Sequence, residues 1–120
     1  VARILIAEDV ASIAEILRLG LEREGFEVVV VNDGDLALPI ALSGSVDLAL
    51  LDICMPRMDG MTVLRAIRAS RDLHLPVIML TANITNSELA EGTASGAYAS
   101  IIKPFKISDV TRQISRMLSN

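Results

Sequence analysis

The chain has 120 residues, which fits one compact domain, and a 52% hydrophobic content that is too high for a disordered segment. Aromatic residues are only 2%, so any core must be aliphatic, and the formal charge of −4 argues against broad contact with a nucleic-acid backbone. The lone Cys54 excludes an internal disulfide and fits a reducing cytosol, while no apolar run reaches the roughly 18 residues of a membrane span and no signal peptide is visible.

Strands and helices alternate along the chain. Arg3-Ile-Leu-Ile-Ala7 is a short apolar run that stops at Glu8-Asp9. Residues 12–24 place Ile13, Ile16, Leu17 and Leu21 at helical spacing, and Gly25 ends that helix as a C-cap. Residues 26–31 are rich in valine and predict a second strand. Asn32-Asp33-Gly34 is a turn, with Asp33 placed to cap the helix expected over 36–43. Pro39 falls inside that helix, where it costs roughly 3 kcal/mol, so the helix must be short, be kinked, or begin near the proline.

Residues 46–52 predict a third strand that ends on Asp52. Residues 56–60 form a loop, and 61–70 carry Val63, Leu64 and Ile67 on one helical face. A fourth strand is expected over 76–81. Thr85-Asn-Ser-Glu88 has capping-box spacing and opens a further helix. A fifth strand is expected over 99–103, and a last helix over 108–118 with Val110, Ile114 and Leu118 four apart. Five βα units built on near-continuous apolar strands predict an α/β fold, a parallel sheet covered by helices on both faces.

In such sheets ligands bind beyond the carboxyl ends of the strands. Here those ends carry Glu8-Asp9, Asp52, Thr81 and Lys103-Pro104. Taken singly, each has an ordinary explanation: Glu8-Asp9 as a helix cap, Asp52 as a solvated loop acid, Thr81 as structural, Lys103 as a surface charge. Their convergence on one edge is what is unusual. Clustered carboxylates repel and need an offsetting charge. Lys103 supplies one, and a hard divalent cation held by Glu8, Asp9 and Asp52 would supply more; Mg2+ suits oxygen ligands and phosphate, whereas no Cys/His cluster favours zinc. A carboxylate can attack phosphorus to form an acyl phosphate. Lys103 and Thr81 would then contact phosphoryl oxygens. Met55, Met58 and Met61 are best read as loop and core filler.

In this order and spacing, Ile4-Leu-Ile-Ala-Glu-Asp9, Leu50-Leu-Asp-Ile-Cys-Met-Pro-Arg-Met-Asp-Gly60, Leu80-Thr-Ala82 and Ile102-Lys-Pro-Phe105 resemble the receiver domains of two-component response regulators. The resemblance runs from Arg3 to about Leu118 and implies a single receiver domain over 1–120, with a flavodoxin-like strand order 2-1-3-4-5. It implies that Asp52 accepts phosphate from a histidine kinase or a histidine phosphotransfer protein. It implies that Mg2+ is held by Glu8, Asp9, Asp52 and the backbone carbonyl of Cys54. Thr81 and Lys103 contact the phosphoryl group, Pro104 is cis, Ala82 leaves access open, and Cys54 and Asn83 tune dephosphorylation. The expected product is a cytoplasmic signalling switch rather than an enzyme. It would act on a downstream effector or on an output domain beyond Asn120, without binding nucleic acid or membrane itself.

Two departures stand out. Family members usually carry an aromatic residue three positions before the lysine, where this chain has Ser100, and Tyr98 falls outside that slot. Tyr98-Ala99 also replaces the paired Asp common in regulators with winged-helix DNA-binding outputs, which disfavours that output. Competing functions are a receiver-like interaction module that is never phosphorylated, an aspartyl phosphatase, and a flavin-binding protein of similar topology. The first would normally have lost a site residue. The second would want an acid where Cys54 stands. The third would want a phosphate loop after the first strand.

Overall fold

The computed structural model describes residues 1–55, 57–70, 74–81 and 99–119. The capping box at Thr85 and the positions Ala82, Asn83 and Tyr98 lie outside them. The elements in chain order are β1 (Arg3–Ala7), α1 (Ala11–Arg23), β2 (Glu27–Val31), α2 (Gly34–Leu42), β3 (Leu48–Asp52), α3 (Gly60–Ala69), β4 (Val77–Thr81), β5 (Ala99–Ile102) and α4 (Ile107–Leu118). All strand pairs are parallel, in the order β2-β1-β3-β4-β5. This is the doubly wound α/β arrangement expected from the sequence.

Alternation along each strand divides the interior into two cores. Leu5, Ala49, Leu51, Val77 and Met79 face one way, against Ala37 and Ala41 of α2 and Val63, Leu64 and Ile67 of α3. Ile4, Ile6, Leu48, Leu50, Ile78 and Leu80 face the other way, against Leu17 and Leu21 of α1 and Val110 and Ile114 of α4. Each inner strand therefore has apolar residues at consecutive positions, because both of its faces are covered. The fully buried core residues are aliphatic, as the low aromatic content requires; Phe26 and Phe105 pack only at its margin.

Helix boundaries follow local chemistry. After α1, Gly25 takes φ of 94°, Phe26 N–H donates to Leu21 O and Gly25 N–H to Glu22 O, which satisfies the last carbonyls in a Schellman turn. Asp33 caps α2 as expected, accepting from Leu36 N at 3.0 Å. That helix is nine residues long with Pro39 inside it, so it is short, and it starts two residues earlier than the periodicity suggests. One expectation for α1 fails. Ile16 is 52% exposed, and the inward stripe is Ala14, Leu17 and Leu21, with Ile13 packed at its edge. The buried face of α1 thus passes through Ala14, the position next to Ile13, and Ile16 lies outside it.

Candidate functional site

Register brings the strand ends level. Ala7 pairs with Leu51, Asp52 with Leu80, and Thr81 with Ile102. The ladders continue past the strands: Glu8 N–H donates to Val31 O at 3.1 Å, Ile53 N–H to Leu80 O at 2.9 Å and Lys103 N–H to Thr81 O at 2.6 Å. Glu8, Asp52, Thr81 and Lys103 therefore leave the sheet at one edge, as predicted.

Glu8, Asp52 and Thr81 are buried there, while Asp9 is exposed. One oxygen from each of Glu8, Asp9 and Asp52 lies within 4.8 Å of the others. Lys103 Nζ donates to Asp52 Oδ2 at 3.1 Å and stands 2.5 Å from Glu8 Oε1. Asp52 Oδ1 accepts from Cys54 N–H at 3.1 Å, and Glu8 Oε2 accepts from Val10 N–H at 3.1 Å. Val10, the N-cap residue of α1, makes no side-chain cap hydrogen bond; Glu8 takes up the Val10 N–H through Oε2, while its Oε1 faces Lys103. The cis Lys103–Pro104 peptide implied by the family resemblance is present.

The charges are unevenly balanced. Burial pushes the Asp52 carboxyl above its ordinary pKa, the adjacent Glu8 adds to that rise, and Lys103 only partly offsets it. For Lys103 burial works to lower the pKa, but Glu8 and Asp52 together outweigh it and hold the ammonium above its ordinary value. Glu8 Oε1 is buried and accepts no hydrogen bond, although Lys103 Nζ stands 2.5 Å away as its ion-pair partner. A buried carboxylate oxygen without a hydrogen bond, beside two further carboxylates, is the donor set that a hard cation such as Mg2+ takes.

Met55 and Met58 pack against the core beneath α2 and α3 and Met61 is itself buried, which fits their reading as filler. Two features were not read from the sequence. Gly60 has no room for a Cβ, which would overlap the Asp52 carbonyl oxygen, and Gly34 is similarly closed by the Met58 carbonyl. Arg57 takes φ of 66° and pairs with Asp33. Neither leaves a local signal, because each depends on two segments meeting across the fold.

The family model for the response regulator receiver domain matches residues 4–115. The DNA-binding response regulator MtrA of Mycobacterium tuberculosis (strain H37Rv) is 40% identical over 97% of this chain and 50% of its own length. The transcriptional regulatory protein ResD of Bacillus subtilis is 36% identical over 97% of the chain and 48% of its own. The chain thus spans about half the length of these curated relatives. Among solved structures, chemotaxis protein CheY4 of Vibrio cholerae aligns with a TM-score of 0.89 at 30% identity, covering 98% of both chains. The receiver domain of sensor histidine kinase PA1611 from Pseudomonas aeruginosa, with a magnesium ion in its active-site cleft, aligns with a TM-score of 0.89 at 29% identity, covering 99% of this chain and 98% of that one. On its match over residues 4–115 and its fold, this chain belongs to the response regulator receiver domain family, the phosphorylation-dependent switches of two-component signalling.

Proposed function

We propose that residues 1–120 form a single receiver domain whose phosphoacceptor is Asp52. The observation that carries this is the placement of Asp52 at the end of the central strand, buried, within reach of Lys103 Nζ and among the acids Glu8 and Asp9. An Asp52 carboxylate oxygen attacks the phosphorus of a phosphohistidine on a histidine kinase or a histidine phosphotransfer protein. An O–P bond forms, the P–N bond breaks, and the histidine nitrogen keeps the electron pair. The product is an acyl phosphate.

Lys103 faces the phosphoryl group as a cation, and Thr81 offers a hydroxyl at the neighbouring strand end. Glu8, Asp9, Asp52 and the Cys54 carbonyl would hold Mg2+, which when bound neutralises charge on the phosphoryl oxygens. The domain works as a signalling phosphoacceptor, catalysing only its own phosphorylation and dephosphorylation, and passes its state to an effector or an attached output domain. The retained Asp52, Thr81 and Lys103 weigh against a module that has abandoned phosphorylation. Cys54 two residues after Asp52 weighs against an aspartyl phosphatase.

Incubation with acetyl phosphate and Mg2+, followed by mass measurement and site mapping, tests this. One phosphoryl group should appear on Asp52, EDTA should suppress it, and Asp52→Asn should abolish it. Equal labelling of Asp52→Asn at another carboxylate would refute the assignment.

A further inference from the structure

The loop between β3 and α3 carries Cys54, and two contacts among the described residues tie its far end down. Near its end, Gly60 N–H donates to Ile53 O at 3.1 Å, and the missing Cβ of Gly60 admits the Asp52 carbonyl. The other hold is a clasp from the turn before α2. Arg57 has φ of 66°, a backbone conformation side chains other than glycine seldom adopt, and its Nη1 donates to Asp33 Oδ2 at 3.3 Å. Next to Asp33, Gly34 leaves just enough space for the Met58 carbonyl. Asp33 and Gly34, the N-cap and first residue of α2, therefore meet two consecutive residues of the loop, Arg57 and Met58.

An exposed arginine is ordinarily a solvated charge, and pairs with it add little to global stability. Here the partner is not ordinary. Asp33 is 5% exposed, and its other oxygen caps α2 through Leu36 N–H. A buried acid thus pairs with an exposed cation of the loop. Between the clasp and Asp52 stands Cys54, whose N–H already bonds Asp52 Oδ1.

We propose that Asp33 and Arg57 are positioning residues for the metal-binding side of the site, setting through the β3–α3 loop the place of the Cys54 carbonyl relative to Asp52. This rests on the function proposed above, in which that carbonyl is a metal ligand.

The test is calorimetric titration of the whole chain with Mg2+, with melting in EDTA measured alongside. The variants are Asp33→Asn, Arg57→Gln, their double, and Arg57→Lys. Asn caps a helix as well as Asp does, so Asp33→Asn removes the charge and keeps the cap. Each single variant should weaken Mg2+ binding about two- to fivefold, the range of a partly exposed ion pair. The double should be no weaker than either single, because both break the same contact. Arg57→Lys should fall between wild type and Arg57→Gln. Melting in EDTA should shift by no more than about 4 °C. A change in long-range charge alone would have opposite signs, since losing an acid repels Mg2+ and losing a cation attracts it. Opposite signs, additive effects, or unchanged affinity in both singles would each overturn the positioning role while leaving Asp52 phosphorylation standing. Failure of the wild type to bind Mg2+ would bring down the proposed metal site itself, and this inference with it.

Discussion

Asp52→Asn should stabilise the metal-free protein. At an effective dielectric of about 20, the contact with Lys103 at 3.1 Å is worth roughly 5 kcal/mol to the ionised Asp52. Repulsion from Glu8 and Asp9, at no more than 4.8 Å each, comes to at least roughly 3 kcal/mol apiece on the same scale, less for Asp9 because it is exposed. Attraction and repulsion nearly cancel, so the cost of burying the charge, several kcal/mol per ion, decides the sign. Asn keeps the shape and removes that cost, and Lys103 retains Glu8 as a partner. A gain of about 2 kcal/mol, or about 8 °C in Tm, is expected in EDTA at neutral pH. The pH dependence is specific. With the folded pKa of Asp52 above the ordinary value of 3.8, the unfolded chain binds fewer protons between the two values, and stability falls as pH rises through that window. The advantage of Asp52→Asn should therefore be complete above the raised value and vanish as pH falls to the ordinary one. Calorimetry of both proteins in EDTA across that range is the assay. A variant that melts below the wild type at neutral pH, or a gap that persists undiminished in acid, would refute the electrostatic account.

Lys103→Met should have the opposite effect, since it leaves the Glu8 side chain, fully buried, without its cation; a loss of about 3–5 kcal/mol in EDTA is expected, with Mg2+ restoring more stability than in wild type. An unchanged Tm in EDTA would contradict it. Gly60→Ala should cost about 2–3 kcal/mol by denaturant titration, because the new Cβ meets backbone at Asp52 rather than a side chain able to move. At residue 57, where both replacements lack the ion pair, Arg57→Gly should be more stable than Arg57→Ala by about 1 kcal/mol, the penalty of a left-handed φ less the entropy of glycine. Equal stabilities would show that the loop relaxes away from that conformation.

The fold was legible because burial on both faces leaves a plain mark. Leu48, Ala49, Leu50 and Leu51 are all fully buried, so the strand is a continuous apolar run whichever face is considered. The site was legible for a related reason: Glu8, Asp52, Thr81 and Lys103 are polar residues where apolar runs stop, and parallel register aligns those stops. Helix α1 was harder, because helical spacing admits Ile16 to the apolar face as readily as Ala14, and only the packed structure shows Ala14 inward and Ile16 outward. The clasp was not legible at all. Asp33 and Arg57 are 24 residues apart, and nothing near Arg57 in sequence distinguishes it from a surface charge.

The same geometry bears on how a change at Asp52 would travel. Ser100, which stands where family members usually carry an aromatic residue, lies in β5 opposite Met79, only half-buried, and offers no large ring to swing inward. The site has other connections. Lys103 is shared between Glu8 and Asp52 through its side chain, and its own N–H is tied to the Thr81 carbonyl at 2.6 Å. A phosphoryl group adds roughly −1.5 to −2 charges and new acceptor oxygens. Under the proposed function it competes with Glu8 for the one ammonium that touches both acids. Any shift of Lys103 toward it pulls on the backbone joining the ends of β4 and β5. Among the described residues, one coupling route open to this chain under that function runs through main-chain contacts at two strand ends, with Lys103 as the element whose partners change.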